Sequence, residues 1–168
     1  MSNFISIEAD IINQKIDETS TTQKHPLGKI IRAIDKDFTT NYGSGEFIYL
    51  KGVASTDVGS IISYQADNYS TSLAIANDRS PIAIAMSTCV ANNYGWYQIT
   101  GKAIAKVLAG FADNAICYLT STAGSISSTP VPGDLIYKMK GASAIGTPSA
   151  GLAEIEIDRA FTNDGATV

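Results

Sequence analysis

Pro81-Ile82-Ala83-Ile84-Ala85-Met86-Ser87-Thr88-Cys89-Val90-Ala91-Asn92-Asn93-Tyr94-Gly95-Trp96-Tyr97-Gln98-Ile99-Thr100-Gly101-Lys102-Ala103-Ile104 decides the fold. Apolar residues alternate in size, stop at an asparagine pair, resume as aromatics and stop again at Gly101. That pattern predicts strand, turn, strand, turn, strand. The large–small alternation of residues 82–86 suits a strand packed on both faces or lying in a narrow barrel. On the next strand, Trp96 and Gln98 share one face and Tyr97 and Ile99 the other. One strand therefore cannot offer Trp96 and Tyr97 to the same ligand. Trp96, the only tryptophan, is expected in a core or a subunit interface.

The same punctuation continues on both sides. Residues 46–50, 60–64, 72–76, 115–120, 135–139 and 152–158 are short apolar or β-branched runs bounded by Gly, Pro, Asn or Asp. About nine strands result, at spacings typical of a sandwich or barrel. The strongest helical competitor is 103–111, and no internal repeat stands out. The expected fold is all-β: a single antiparallel β-barrel or β-sandwich domain over 46–168, preceded by an extended N-terminal arm and lead-in over 1–45.

The first 45 residues differ in composition, being far richer in charge. Ile5, Ala9, Ile12 and Ile16 follow helical spacing, while Ile5 and Ile7 alternate as in a strand. Pro26 ends whatever precedes it, residues 29–34 suit a short strand, and Asn41-Tyr42-Gly43-Ser44-Gly45 reads as a hinge. This section is expected to be an arm with only its second half joined to the core. Phe4, Ile5, Ile7, Ile11 and Ile12 would be its anchors on a partner, or would simply pack on their own barrel.

Composition narrows the function. Charged residues are 17% of the 168, below the usual quarter. Between Gly52 and Gly101 the only charges are Asp57, Asp67, Asp78 and Arg79. So sparse a surface favours oligomerisation or docking. The net charge of -4, without a basic stripe, argues against nucleic acid. No apolar run is long enough for a membrane span. Residues 1–4 lack a secretory signal pattern, so folding in a cytoplasm is expected. Cys89 and Cys117 lie in apolar runs, as small buried hydrophobes do. With the single His25 far away in sequence, they form no structural zinc set.

Chemical sites are hard to find. Glu154, Glu156 and Asp158 fall on one face of a strand and could collect calcium. Without a loop of oxygen ligands they read better as a solvated face opposite Ala153, Ile155 and Ile157. His25 has no nucleophile elbow to serve. Lysines 138 and 140 only faintly resemble the modified lysine turn of biotinyl or lipoyl carriers. The glycines at 43–45 and 141–146 open no helix and suit turns rather than a phosphate cradle. Tyr94, Trp96 and Tyr97 could serve a sugar only if exposed. The residues point to no catalytic group, cofactor or metal.

The chain resembles a family of tailed-phage proteins that decorate or cement the capsid. Glu46-Phe47-Ile48-Tyr49-Leu50-Lys51-Gly52-Val53-Ala54 is similar to an early strand of that family. Residues 81–85 and 94–101 are similar to its central block, and Leu27-Gly28-Lys29-Ile30-Ile31-Arg32-Ala33-Ile34-Asp35 to its lead-in. The likeness spans roughly residues 26–125. It implies a non-enzymatic β-rich protein on the outer capsid surface of a virion, made in the host cytoplasm. It further implies the major capsid protein as partner and a homotrimer at local three-fold positions. Phe4, Ile5, Ile7, Ile11, Ile12, Tyr94 and Trp96 are this chain's candidate contacts, chosen on their own apolar character. Two other classes stay open: a carbohydrate-binding or adhesion module of a virion fibre, and, more distantly, a hydrolase.

Overall fold

A computed structural model describes residues 4–7 and 13–163. The described residues form twelve strands: β1 (Phe4–Ser6), β2 (Ile30–Asp35), β3 (Ser44–Lys51), β4 (Ile61–Tyr64), β5 (Thr71–Leu73), β6 (Ile82–Ala85), β7 (Tyr94–Gln98), β8 (Thr100–Lys106), β9 (Ile116–Leu119), β10 (Ile126–Ser127), β11 (Leu135–Gly141) and β12 (Leu152–Thr162). Among them there is no helix long and apolar enough to cross a membrane. The all-β expectation holds, and residues 103–106 are strand rather than helix.

Two antiparallel sheets share the strands. One has seven in the order β1-β2-β3-β7-β6-β4-β5, the other five in the order β10-β9-β11-β12-β8. The opening stretch links them. β7 lies in the first sheet and β8 in the second, with only Ile99 between. The Ile99 N–H donates to Glu46 O at 2.9 Å, and its carbonyl accepts from Arg159 N at 2.7 Å. One residue is thus bonded to both sheets, so no backbone group is stranded at the crossover. Gly101 makes the bend possible. Its φ is +96°, and Ser44 O lies 2.5 Å from where a Cβ would stand, which excludes other residues there. A parallel bridge from Val107 to Ile126 joins the edges of the smaller sheet, leaving it curled on itself.

Alternation sets the core. Ile82, Ile84, Ala103, Ala105, Ile155 and Ile157 pack between the sheets with Phe111, Leu119 and Met139. Small residues on β8 and β12 let the barrel side close tightly. On its other face the seven-stranded sheet curls around Ile48, Leu50, Ile62, Tyr97 and Cys89. A third cluster holds Phe4, Ile16, Ile31, Phe47, Tyr49 and Trp96.

The expected division at residue 46 falls inside β3, whose partner β2 belongs to the same sheet. The front of the chain is likewise built in rather than held out as an arm. β1 pairs with β2 in the register Phe4↔Asp35, Ile5↔Ile34. Residues 13–27 form a strap over the Tyr49–Trp96 end of the sheet. Ile16 enters the core there, and Ser20 and Tyr94 exchange backbone hydrogen bonds of 3.0 and 2.8 Å. The physical reason is the buried polar anchor Gln14, which a reading of apolar spacing passes over.

Candidate docking surface

The strap fixes the fate of Tyr94 and Trp96. Trp96 is fully buried, and its indole Nε1 donates to Gln14 O at 3.3 Å. Tyr49 meets it edge-on with ring centroids 4.9 Å apart, and the His25 ring lies 5.2 Å away. Trp96 therefore spends its surface inside one subunit and presents none to a partner. Tyr94 is half-buried, its ring parallel to Tyr49 and its backbone bridged to Ser20. Phe4 is also a core residue, edge-on to Phe47 at 5.0 Å. Ile11 and Ile12 lie outside the described residues.

Ile5 and Ile7 are the expected contacts that reach the surface. Register places Ile5 beside Ile34, and Ile7 N donates to Arg32 O at 3.2 Å. On β2 the inward residues are Ile31 and Ala33 and the outward ones Ile30, Arg32 and Ile34. Ile7 is 61% exposed, Ile30 41% and Ile34 43%. The isoleucines surround an ion cluster: Glu46 holds Arg159 Nη2 at 2.7 Å and Arg32 Nε at 3.6 Å. A groove of about 510 Å³ runs here between Ile7, Gly45, Thr100 and Asp158.

Phe38 is a further exposed apolar residue, beyond the end of β2. It stands 95% exposed at the β2–β3 turn, which two carboxylates brace by hydrogen bonds. Asp35 Oδ1 accepts from Asp37 N at 3.0 Å and Oδ2 from the Thr40 hydroxyl at 2.9 Å. Asp37 Oδ1 accepts from both Thr39 N and its hydroxyl, at 2.9 and 2.6 Å. Those Thr39 bonds hold the Asp37 carboxyl below its ordinary pKa. Sequence reasoning missed Phe38. The available signal was an aromatic isolated in the polar turn Asp35-Lys36-Asp37-Phe38-Thr39-Thr40.

The remaining candidates resolve into structure. His25 is 6% exposed and packed edge-on against Tyr49, so it is no solvated loop residue. Glu154, Glu156 and Asp158 each face a lysine on a neighbouring strand: Lys102 at 2.8 Å, Lys140 at 3.3 Å and Lys138 at 3.7 Å. Lys138 sits in a β-bulge within β11, not at a hairpin tip. Cys89 and Cys117 are buried free thiols, and burial raises the pKa of each. Among the described residues no His, Cys, Asp or Glu cluster is arranged to hold a metal ion. No family model matches the chain, and no curated protein is significantly similar to it.

Proposed function

We propose that this chain is a structural virion protein that decorates a phage capsid and stabilises it by bridging subunits of the major capsid protein. One observation carries the reading. Four of the nine exposed large hydrophobics among the described residues (Ile7, Ile30, Ile34 and Phe38) gather on the β1–β2 face and its adjoining turn. Apolar residues concentrated in this way along one edge of a sheet and its turn suit docking better than solvation. A protein that binds the assembled shell but not its separated subunits stabilises the shell by mass action, and many copies multiply the effect. Three copies at each local three-fold position belong to this proposal.

Co-sedimentation with capsids tests it. Ile34→Asp and Phe38→Asp alter exposed positions and should leave folding within about 0.5 kcal/mol of the parent. Each should weaken capsid attachment at least about tenfold, or 1.4 kcal/mol. Undiminished attachment of the double variant would reject this face.

The sugar-binding alternative loses its first platform, because Trp96 is enclosed. The exposed aromatic pair Tyr137 and Phe161 stacks ring on ring at 5.0 Å, so each ring spends one face on the other.

A further inference from the structure

The outer face of the β11–β12 pair carries a pattern that adjoins the docking surface and meets it only at Asp158 and Arg159. Tyr137 and Phe161 lie directly opposite in register, both 41% exposed, with ring planes 12° apart. Along the same two strands Lys138 pairs with Asp158, and Lys140 pairs with Glu156, which it faces in register. β11 therefore supplies the lysines and β12 the two acids, in parallel columns, while Arg159 of β12 is taken up by Glu46 at 2.7 Å. All four charged side chains are more than half exposed.

The backbone is bent to keep this arrangement. Register slips between Tyr137 and Met139, and two non-glycine residues at the slip, Lys138 (φ 60°) and Arg159 (φ 48°), adopt the left-handed conformation. That conformation is uncommon for such residues. The bulge keeps Met139 and Ala160 inward while Lys138, Asp158 and Arg159 stay out, as a re-aiming device does.

Two such columns are self-complementary. Consider a two-fold axis parallel to the strands and midway between β11 and β12. It keeps every residue at its own level and lays the lysine column of one copy over the acid column of the other. Tyr137 then meets the second copy's phenylalanine, and Phe161 its tyrosine, giving a cluster of four rings. Each Lys–acid level becomes a square of alternating sign. With Arg159 neutralised by Glu46, the face carries two lysines and two acids, so two copies of a chain with net charge -4 meet there without local repulsion. An isologous contact requires this reciprocity, and aromatics are favoured at its centre.

We infer that the outer face of β11–β12 is a self-association surface whose occupant is a second copy of this chain, related by a two-fold axis along the strands. It adjoins the capsid-docking face, whose groove Asp158 and Arg159 also line. A shell relates its parts by two-folds as well as three-folds, so the contact is compatible with three copies at each capsid position.

Sedimentation equilibrium of the full chain without capsids tests it, which keeps its outcome independent of the docking reading. The parent should form even-numbered species that weaken with added salt. Tyr137→Ala, which leaves every charge in place, should loosen association at least about tenfold. The charge variants decide where the contact lies. Lys138→Glu/Lys140→Glu and Glu156→Lys/Asp158→Lys should each fail to self-associate, and an equimolar mixture of the two should recover a heterodimer. Ion pairing within one chain cannot be restored by mixing, so recovery identifies the contact as intermolecular. Thermal melts of each variant confirm that folding is retained. A chain that stays monomeric or purely trimeric overturns the inference. So does association that survives in all three variants.

Discussion

The Tyr49 hydroxyl donates to Gln14 Oε1 at 2.8 Å in a fully buried site, across 35 residues of sequence. The other end of the same amide is also used, donating to Glu18 O at 2.9 Å and Tyr94 O at 2.8 Å. Lys24 N donates to the Tyr49 oxygen at 3.1 Å. The strap therefore closes a polar network over the aromatic cluster, with every proton of the Gln14 amide accepted.

Gln14→Ala should accordingly destabilise the protein by about 2–3 kcal/mol. It deprives the buried Tyr49 hydroxyl of its acceptor and two backbone carbonyls of a donor. Urea unfolding should show a lower midpoint with an unchanged slope. A loss below about 0.5 kcal/mol, the range of an ordinary surface change, would mean that the network is not holding the strap.

Deleting residues 1–20 should do more than remove an arm. The cut takes away Phe4 and Ile16, which are 8% and 3% exposed, together with Gln14. It uncovers Trp96 and Tyr49. Truncating one large buried aromatic alone costs about 3–5 kcal/mol, a large share of a small domain's stability. The truncated chain should melt far below the parent or fail to fold, as circular dichroism would show. A truncation with parental stability would restore the arm as a separate element. Capsid attachment is better probed at Ile34 and Phe38, which leave the strap intact.

What the sequence made legible was local alternation. Ala153, Ile155 and Ile157 against Glu154, Glu156 and Asp158 could be sorted into inside and outside by period alone. So could Trp96 and Tyr97, which enter different core clusters. Gln14 and Phe38 were illegible for opposite reasons. Gln14 is polar yet 3% exposed, because two of its partners, Tyr49 and Tyr94, lie far along the chain. Phe38 is apolar yet outside, because the Asp35 and Asp37 carboxylates hold its turn. Periodicity also could not show that Ile99 carries the chain from one sheet to the other. That depends on Glu46 and Arg159, two residues distant in sequence.

Acid should weaken one clamp in particular. Asp57 Oδ1 accepts from the Thr88 hydroxyl at 2.9 Å and Val58 N at 2.8 Å, and Lys106 Nζ lies 3.4 Å from Oδ2. The Thr88 bond above all holds the Asp57 carboxyl below its ordinary value of 3.8. A carboxyl depressed on folding stabilises above its unfolded pKa, and that contribution is lost as pH falls through the folded pKa. Asp57→Asn should thus be less stable than the parent at neutral pH. The gap should close once the solution is more acidic than the folded pKa. The gap is small, because the group is largely exposed and screened by solvent. Unfolding midpoints of both proteins across a pH series measure it, and a pH-independent gap would rule out this carboxylate as its source.

The two thiols supply a probe of native-state opening. Burial pushes the Cys117 thiol up to about 12. It raises Cys89 as well. Since the thiolate is the reactive form, both should be inert toward an aromatic disulfide reagent at about pH 8 while the chain is folded. Both should react in denaturant, releasing two equivalents per chain. Slow native labelling should follow the opening equilibrium, and any substitution that loosens the core should accelerate it in step with its loss of stability. The sites lie in different clusters, Cys117 between the sheets and Cys89 in the curl of the larger one. Labelling of single-cysteine variants therefore separates opening of the barrel side from opening of the curl. Equal rates at both sites would show that the sheets open together through their shared residue Ile99. Rapid stoichiometric labelling of either thiol in the native protein would contradict the packing described around it.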